Sequence, residues 1–252
     1  MVPCLRETKG EKVKRTSKLP QLLEYDLHCL EFGSLPVEQS MVQLTFFERS
    51  FDRVIGVDEV GRGCLAGPVM AAAASYNLKD LTEEQLDGLS RLNDSKLITE
   101  KSRERLSDII RATADFAIGH VSNGDVDRFN ILNASMIAME KAVERLVNRL
   151  TREGVEPSRI LILVDGKKPL PAVEYAQLPI TKGDGKSASI ASASIIAKVT
   201  RDKLMARYNR SYPNYSWNQN KGYPSASHVQ ALEKWGPTPL HRQSFNWQRK
   251  RA

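Results

Sequence analysis

Val54-Ile55-Gly56-Val57-Asp58-Glu59 is a short β-branched run that ends on two carboxylates. Bounded and apolar, it reads as a buried strand that delivers acid at its C-terminal end. The pattern returns in Arg159-Ile160-Leu161-Ile162-Leu163-Val164-Asp165, a second buried run ending on an acid. If the two strands are neighbours, Asp58 and Asp165 come within reach of one another. Residues 68–76 and 116–121 read as further strands. Residues 99–113 have helical spacing at Leu106, Ile109 and Ile110. The strongest helix is 131–150, with Met136, Ala138, Met139, Val143, Leu146, Val147 and Leu150 on one apolar face. A long helix rich in small residues covers 187–208, and a short one covers 227–234. Strands and helices interleaved in this way predict an α/β layered domain with a mixed sheet.

Upstream, Lys9, Lys12, Lys14, Arg15 and Lys18 mark a basic tail. A helical pattern around Leu22, Leu23, Tyr25, Leu27 and Leu30 is broken by Gly33 and Pro36. A second apolar piece follows at Leu44, Phe46 and Phe47. We divide the chain into a basic extension over 1–50, partly helical or disordered, and one domain over 51–252 with a helical C-terminal segment. With 41% hydrophobic residues among 252, a core is buried without staples. Cys4, Cys29 and Cys64 have no paired spacing, which argues against a disulfide framework or a zinc site and for a reducing, cytoplasmic setting. No stretch approaches the ~18 apolar residues of a membrane span. The first 18 residues carry charge with no apolar run behind it, unlike a secretory signal. Thirty-seven Lys and Arg against thirty Asp and Glu give +7. That suits a phosphate-backbone partner, and equally an ordinary solvated basic surface.

Asp184 stands in the polar turn Thr181-Lys182-Gly183-Asp184-Gly185-Lys186. Asp58, Glu59, Asp165 and Asp184 converging on one place would repel one another unless a cation offset them. Their donors are all hard oxygen, which selects Mg²⁺ or Mn²⁺ over zinc and suits phosphoryl transfer. Strand-end acids also serve as loop caps and ion-pair partners, and the residues alone leave that choice open. Gly61-Arg62-Gly63 allows a close backbone approach to a sugar hydroxyl or phosphate, or makes an ordinary tight turn. Tyr223, in Gly222-Tyr223-Pro224, offers an aromatic face for stacking or for packing. Lys96, Lys182, Lys186 and Lys198 are candidates for a phosphate surface or plain solvated lysines. Ser187 and Ser189 are candidate phosphate donors, within a small-residue stretch that also suits helix–sheet packing. His228 and His241 read as structural hydrogen-bonders.

Asp58-Glu59-Val60-Gly61-Arg62-Gly63-Cys64-Leu65-Ala66-Gly67-Pro68-Val69 closely resembles the N-terminal signature of the ribonuclease HII family. So, in order, do Asn93-Asp94-Ser95-Lys96, Ile162-Leu163-Val164-Asp165-Gly166, and Lys182-Gly183-Asp184 leading into Ala193-Ser194-Ile195-Ile196-Ala197-Lys198-Val199-Thr200-Arg201-Asp202. Lys221-Gly222-Tyr223-Pro224 and His241-Arg242-Gln243-Ser244-Phe245 complete the series, from about Arg53 to Phe245. The resemblance implies an RNase H-like fold with a central mixed five-stranded sheet flanked by helices. It implies that Asp58, Glu59, Asp165 and Asp184 are the catalytic, metal-binding set for Mn²⁺ or Mg²⁺. The implied reaction is two-metal-ion hydrolysis giving 3′-OH and 5′-phosphate. Its substrates are the RNA strand of RNA–DNA hybrids and the bond 5′ of single ribonucleotides in duplex DNA, as in ribonucleotide excision repair. The 61–63 loop then reads the ribose 2′-OH, and Tyr223 senses the junction. Asp202 reads instead as a structural acid paired with Lys198 or Arg201. No extra apolar surface is visible, so a monomer is expected. The long N-terminus departs from many members and does not resemble the substrate-binding domain of the related ribonuclease HIII. Two competing readings are a junction-resolving nuclease on the same fold and a catalytically silent hybrid-binding protein.

Overall fold

The structure is a computed structural model that describes residues 17–34, 36, 50–92 and 98–247. The apolar piece at Leu44, Phe46 and Phe47, the basic positions before Ser17, and Asn93 to Lys96 lie outside the described residues. Five strands form one mixed sheet: β1 (Arg53–Val60), β2 (Val69–Ser75), β3 (Asp115–Val121), β4 (Ile160–Asp165) and β5 (Ala176–Ile180). Their order is β3-β2-β1-β4-β5. β1 pairs antiparallel with β2 and parallel with β4, and β4 runs parallel to β5. The two acid-ending strands are therefore neighbours in the middle of the sheet, which meets the condition for Asp58 and Asp165 to approach one another. Among the described residues, β5 is the one strand absent from the sequence-based expectation.

Side chains alternate across each strand, so the two faces separate by parity. Ile55, Val57, Ile160, Ile162 and Val164 face a core shared with α5 (Ile131–Arg152). Val54, Leu161 and Leu163 point the other way, into a cluster with Ile190 of α6 (Ala188–Ser211). α6 also covers Ala72 and Ala74, with α3 (Glu100–Thr113) beyond it. The approach of α6 is close because Gly56 has no side chain. A Cβ there would overlap the Ile190 amide and the Ser189 backbone. The remaining helices are α1 (Leu19–Phe32), α2 (Glu83–Leu89), α4 (Asn123–Phe129), α7 (Trp217–Asn220) and α8 (Ala226–Trp235). No described helix is long and apolar enough to cross a membrane.

α1 shares the core on the α6 side. Pro20 starts it and Gly33, in the left-handed region, ends it. Leu19 and Leu22 join the cluster around Ala72, while Tyr25, Cys29 and Leu30 pack with Phe51 and Val54. Asp26 is completely buried. Its Oδ2 accepts from the Ser189 amide at 2.8 Å and the Ser189 hydroxyl at 2.7 Å. Burial pushes the Asp26 carboxyl up from 3.8 to about 6, against the opposing hydrogen bonds from Ser187 and Ser189.

Because the folded value lies above the unfolded one, the folded chain keeps a proton that the unfolded chain has already released. The associated stability is fully present below about pH 4 and is lost as pH rises through about 6. The loss amounts to roughly 3 kcal/mol. Asp26→Asn should remove this dependence. In urea denaturation, the stability difference between wild type and Asp26→Asn should shift against wild type by roughly 2–3 kcal/mol from about pH 4 to about pH 8. A difference that stays flat means that Asp26 titrates normally.

Candidate active site

β1 and β4 lie side by side with Val57 opposite Val164. One step further along each strand stand Asp58 and Asp165, on the α6 face by parity. Asp58 is buried, and its Oδ1 accepts from the Glu59 amide at 2.7 Å. Burial pushes its carboxyl well above the usual carboxylate range. The charges of Glu59 and Asp165 push it further, while hydrogen bonds from Ser194 and the Glu59 amide oppose them. Asp165 Oδ1 accepts from the Gly183 amide at 2.7 Å. That bond ties the end of β4 to the 3₁₀ turn Gly183–Gly185, which carries the buried Asp184 into α6. Glu59 is held by Arg62, whose Nη1 lies 3.2 Å from its Oε1. Asp58, Glu59 and Asp165 therefore lie at the C-terminal ends of β1 and β4, and Asp184 follows directly after the Gly183 amide that meets Asp165.

The fit to a hard divalent cation rests on this charge balance. Asp58 is costly as an anion where it stands, and a cation among Asp58, Glu59 and Asp165 would relieve that cost. Among the described residues, no three carboxylate, imidazole or thiol groups form a ready-made ligand shell. Mg²⁺ characteristically takes one or two carboxylates and completes its octahedron with water and substrate phosphate. An open shell of oxygen donors is consistent with that chemistry.

The 61–63 loop leaves β1 at Gly61, whose φ of 92° lies in the left-handed region that favours glycine. A side chain at Gly61 would also overlap Arg201. Arg62 and Gly63 are exposed. The loop is tied to the turn bearing Tyr223: the Leu65 amide donates to Gly222 O at 2.8 Å, and Cys64 Sγ lies 3.7 Å from Lys221 O. Two buried guanidiniums bind the same backbone from beneath. Arg201 donates to Ala66 O and Pro68 O at 3.0 Å and to Lys221 O at 2.8 Å. Arg242 donates to Gly67 O at 3.0 Å and Arg62 O at 2.9 Å. Burial lowers Arg242 to about 10. Both arginines stand in sequence blocks quoted above, but their part in joining the two loops becomes visible only in the fold.

Tyr223 presents a partly exposed ring, with Lys198 Nζ 5.5 Å from its centroid. Burial is the main cause that raises its phenol to about 12. Lys198 pairs with Asp202 at 2.8 Å, one of the two partners expected for it. Lys182 is exposed beside Asp184, and Lys186 is partly buried. Burial, then the charge of Lys182, lowers the Lys186 ammonium. Lys96 lies outside the described residues.

Ser187 and Ser189 are corrections. Both are fully buried. Ser187 is the N-cap of α6, its hydroxyl accepting from the Ile190 amide at 3.1 Å, and the Ser189 hydroxyl is given to Asp26. Neither lies on a surface that meets phosphate. Conversely, Ser194, which the sequence did not single out, partners Asp58 from inside the small-residue stretch.

A sequence model of the family described as Ribonuclease HII matches residues 55–248. The chain belongs to the ribonuclease HII family. It is 43% identical to the Ribonuclease HII of Zymomonas mobilis over 83% of this chain and 91% of that one. It is 42% identical to that of Clostridioides difficile over 79% and 72%. Membership makes the chain a hydrolase, an endoribonuclease acting on RNA in RNA–DNA hybrids. Among solved structures, ribonuclease H2 from Pyrococcus horikoshii aligns with a TM-score of 0.57 at 25% identity, covering 77% of this chain and 94% of that one. RNase HIII in complex with Mn²⁺ aligns at 0.58 and 19%, covering 80% and 70%, and shows the shared fold.

Proposed function

We propose that this ribonuclease HII cleaves 5′ of single ribonucleotides embedded in duplex DNA as well as within hybrids, leaving 3′-OH and 5′-phosphate. The observation that carries the reading is the joining of the 61–63 loop to the Tyr223 turn, directly beside the carboxylates. Asp58, Glu59, Asp165 and Asp184 would hold Mn²⁺ or Mg²⁺, as the Mn²⁺ complex of RNase HIII suggests by analogy. Such ions activate water and stabilise the departing 3′ oxygen. The remaining work belongs to the chain. The 61–63 backbone meets the ribose 2′-OH, which a deoxyribose lacks. The Tyr223 ring packs on the sugar that follows, while Lys182 and Lys186 face the backbone charge. Among the described residues the large exposed hydrophobics Phe32, Trp235 and Tyr223 sit on separate elements and Phe129 and Leu132 flank the α4–α5 junction, a scatter that supports a monomer. The buried free thiols Cys29 and Cys64 suit a reducing cytoplasm.

The test is cleavage of a DNA duplex carrying one ribonucleotide, with all-DNA and all-RNA duplex controls. Cleavage confined to the ribonucleotide duplex, lost with EDTA and restored by Mn²⁺, is the expected result. Cutting of branched all-DNA junctions would support a resolving nuclease, and binding without cutting a silent binder.

A further inference from the structure

Behind Tyr223 lies a branched chain of buried polar groups that the catalytic reading leaves unused. The Tyr223 carbonyl accepts from the Ser225 amide at 2.8 Å and faces His228 Nδ1 at 2.9 Å. Trp217 Nε1 donates to His228 Nε2 at 3.0 Å, and His241 Nε2 stands 3.1 Å from the same atom. The Thr238 amide donates to His241 Nδ1 at 2.8 Å. These contacts fix both tautomers. An indole N–H only donates, so His228 Nε2 accepts and the proton of the neutral ring sits on Nδ1, facing the Tyr223 carbonyl. A backbone amide likewise only donates, so His241 carries its proton on Nε2 and shares the His228 acceptor with Trp217. His228 and Trp217 are fully buried and His241 nearly so. Burial first, and then His228, pushes the His241 imidazole down to about 4, which keeps the chain neutral.

The turn that this chain holds is a difficult one. Lys221 and Gly222 have φ of 53° and 85°, two consecutive left-handed residues just before Tyr223. Each carbonyl of the turn has an anchor: Arg201 on Lys221 O, Leu65 on Gly222 O, and His228 on Tyr223 O. His228 is the side chain that joins the Ser225 amide in holding the carbonyl of the residue whose ring is offered outward.

We infer that His228 is a positioning residue for Tyr223, its Nδ1–H fixing the carbonyl of the turn so that the ring stands ready for the sugar beside a ribonucleotide. The inference rests on the reading of Tyr223 given above. Two isosteres separate it from a merely structural role. Asparagine places an amide N–H close to the position of Nδ1, so His228→Asn keeps the donor to Tyr223. It loses the acceptor for Trp217 and His241. Glutamine places its amide near Nε2, so His228→Gln keeps that acceptor and loses the donor.

The readout is the ratio of kcat on a single-ribonucleotide duplex to kcat on a continuous hybrid, which does not depend on how much enzyme is folded. His228→Gln should lower the ratio by about tenfold, with KM moving much less. His228→Asn should keep the ratio within about threefold while melting lower than His228→Gln. A ratio that follows melting temperature across the two variants, or that moves in neither, overturns the inference. Tyr223→Ala, run alongside, should lower the ratio by one to two orders of magnitude, as loss of a stacking contact does. If Tyr223→Ala leaves the ratio unchanged, the reading of Tyr223 fails and the inference with it. If Tyr223→Ala lowers the ratio and His228→Gln does not, the inference alone fails.

Discussion

Asp58→Asn is expected to reduce turnover on an RNA–DNA hybrid by at least about a hundredfold while leaving hybrid affinity nearly unchanged. Asparagine matches aspartate in shape and keeps an oxygen that can accept from the Glu59 amide. What it removes is the negative charge at the end of β1, beside Glu59 and Asp165. A charge that holds a cation acting in the transition state contributes to rate far more than to substrate binding. The same charge is a burden to the fold, because burial and two acidic neighbours oppose it. Thermal melting with EDTA present should therefore find Asp58→Asn at or above the wild-type temperature. Residual turnover above a few per cent of wild type, with Mn²⁺ supplied, would remove Asp58 from the catalytic set. A variant that is inactive because it has unfolded would be recognised by its lowered melting.

The strands that carry these acids are legible in the amino-acid sequence. β1 and β4 announce themselves because both are central and covered on two faces, so nearly every residue is apolar until the terminal acid. β5 does not. Its sequence Ala176-Gln177-Leu178-Pro179-Ile180 is short, carries the polar Gln177 and is interrupted by a proline, as an edge strand tolerates. α2 and α4 are seven-residue helices whose signal lies in their caps rather than in any periodicity. Thr82 and Gln85 form a reciprocal capping box at the start of α2.

In the site, the carboxylates can be found because each closes a strand or opens a helix. Ser189 misleads because its partner, Asp26, is 163 residues away in the chain and buried in a helix that reads as an extension. No local pattern carries that contact. Arg201 and Arg242 show the same limit from the other side. Arginine in a helix or a C-terminal loop reads as surface charge, whereas here the fold encloses both guanidiniums and surrounds them with carbonyls.

Arg201→Met should lower stability by about 3 kcal/mol or more, equivalent to roughly 6–12 °C in melting temperature for a domain of this size. Methionine is similar in length and fills the space, so the loss is one of hydrogen bonds rather than of volume. The carbonyls of Ala66 and Pro68 would lose this donor, and that of Lys221 would keep only the weak Cys64 thiol contact. Each buried acceptor left without a partner costs about 1–3 kcal/mol. Part of that total is offset, because methionine removes a buried charge that is itself costly to desolvate. Arg201→Lys distinguishes the two contributions. Lysine retains the charge, but a single ammonium lacks the planar fork that reaches three carbonyls on two loops. It should melt well below wild type, and no higher than Arg201→Met. If Arg201→Lys melts within about 2 °C of wild type, positive charge beneath the loops is sufficient and the fork geometry is unimportant. If both variants melt as wild type does, the 61–63 loop and the Tyr223 turn are held together by the Leu65–Gly222 backbone bond and its neighbours, and Arg201 is a passenger in the core.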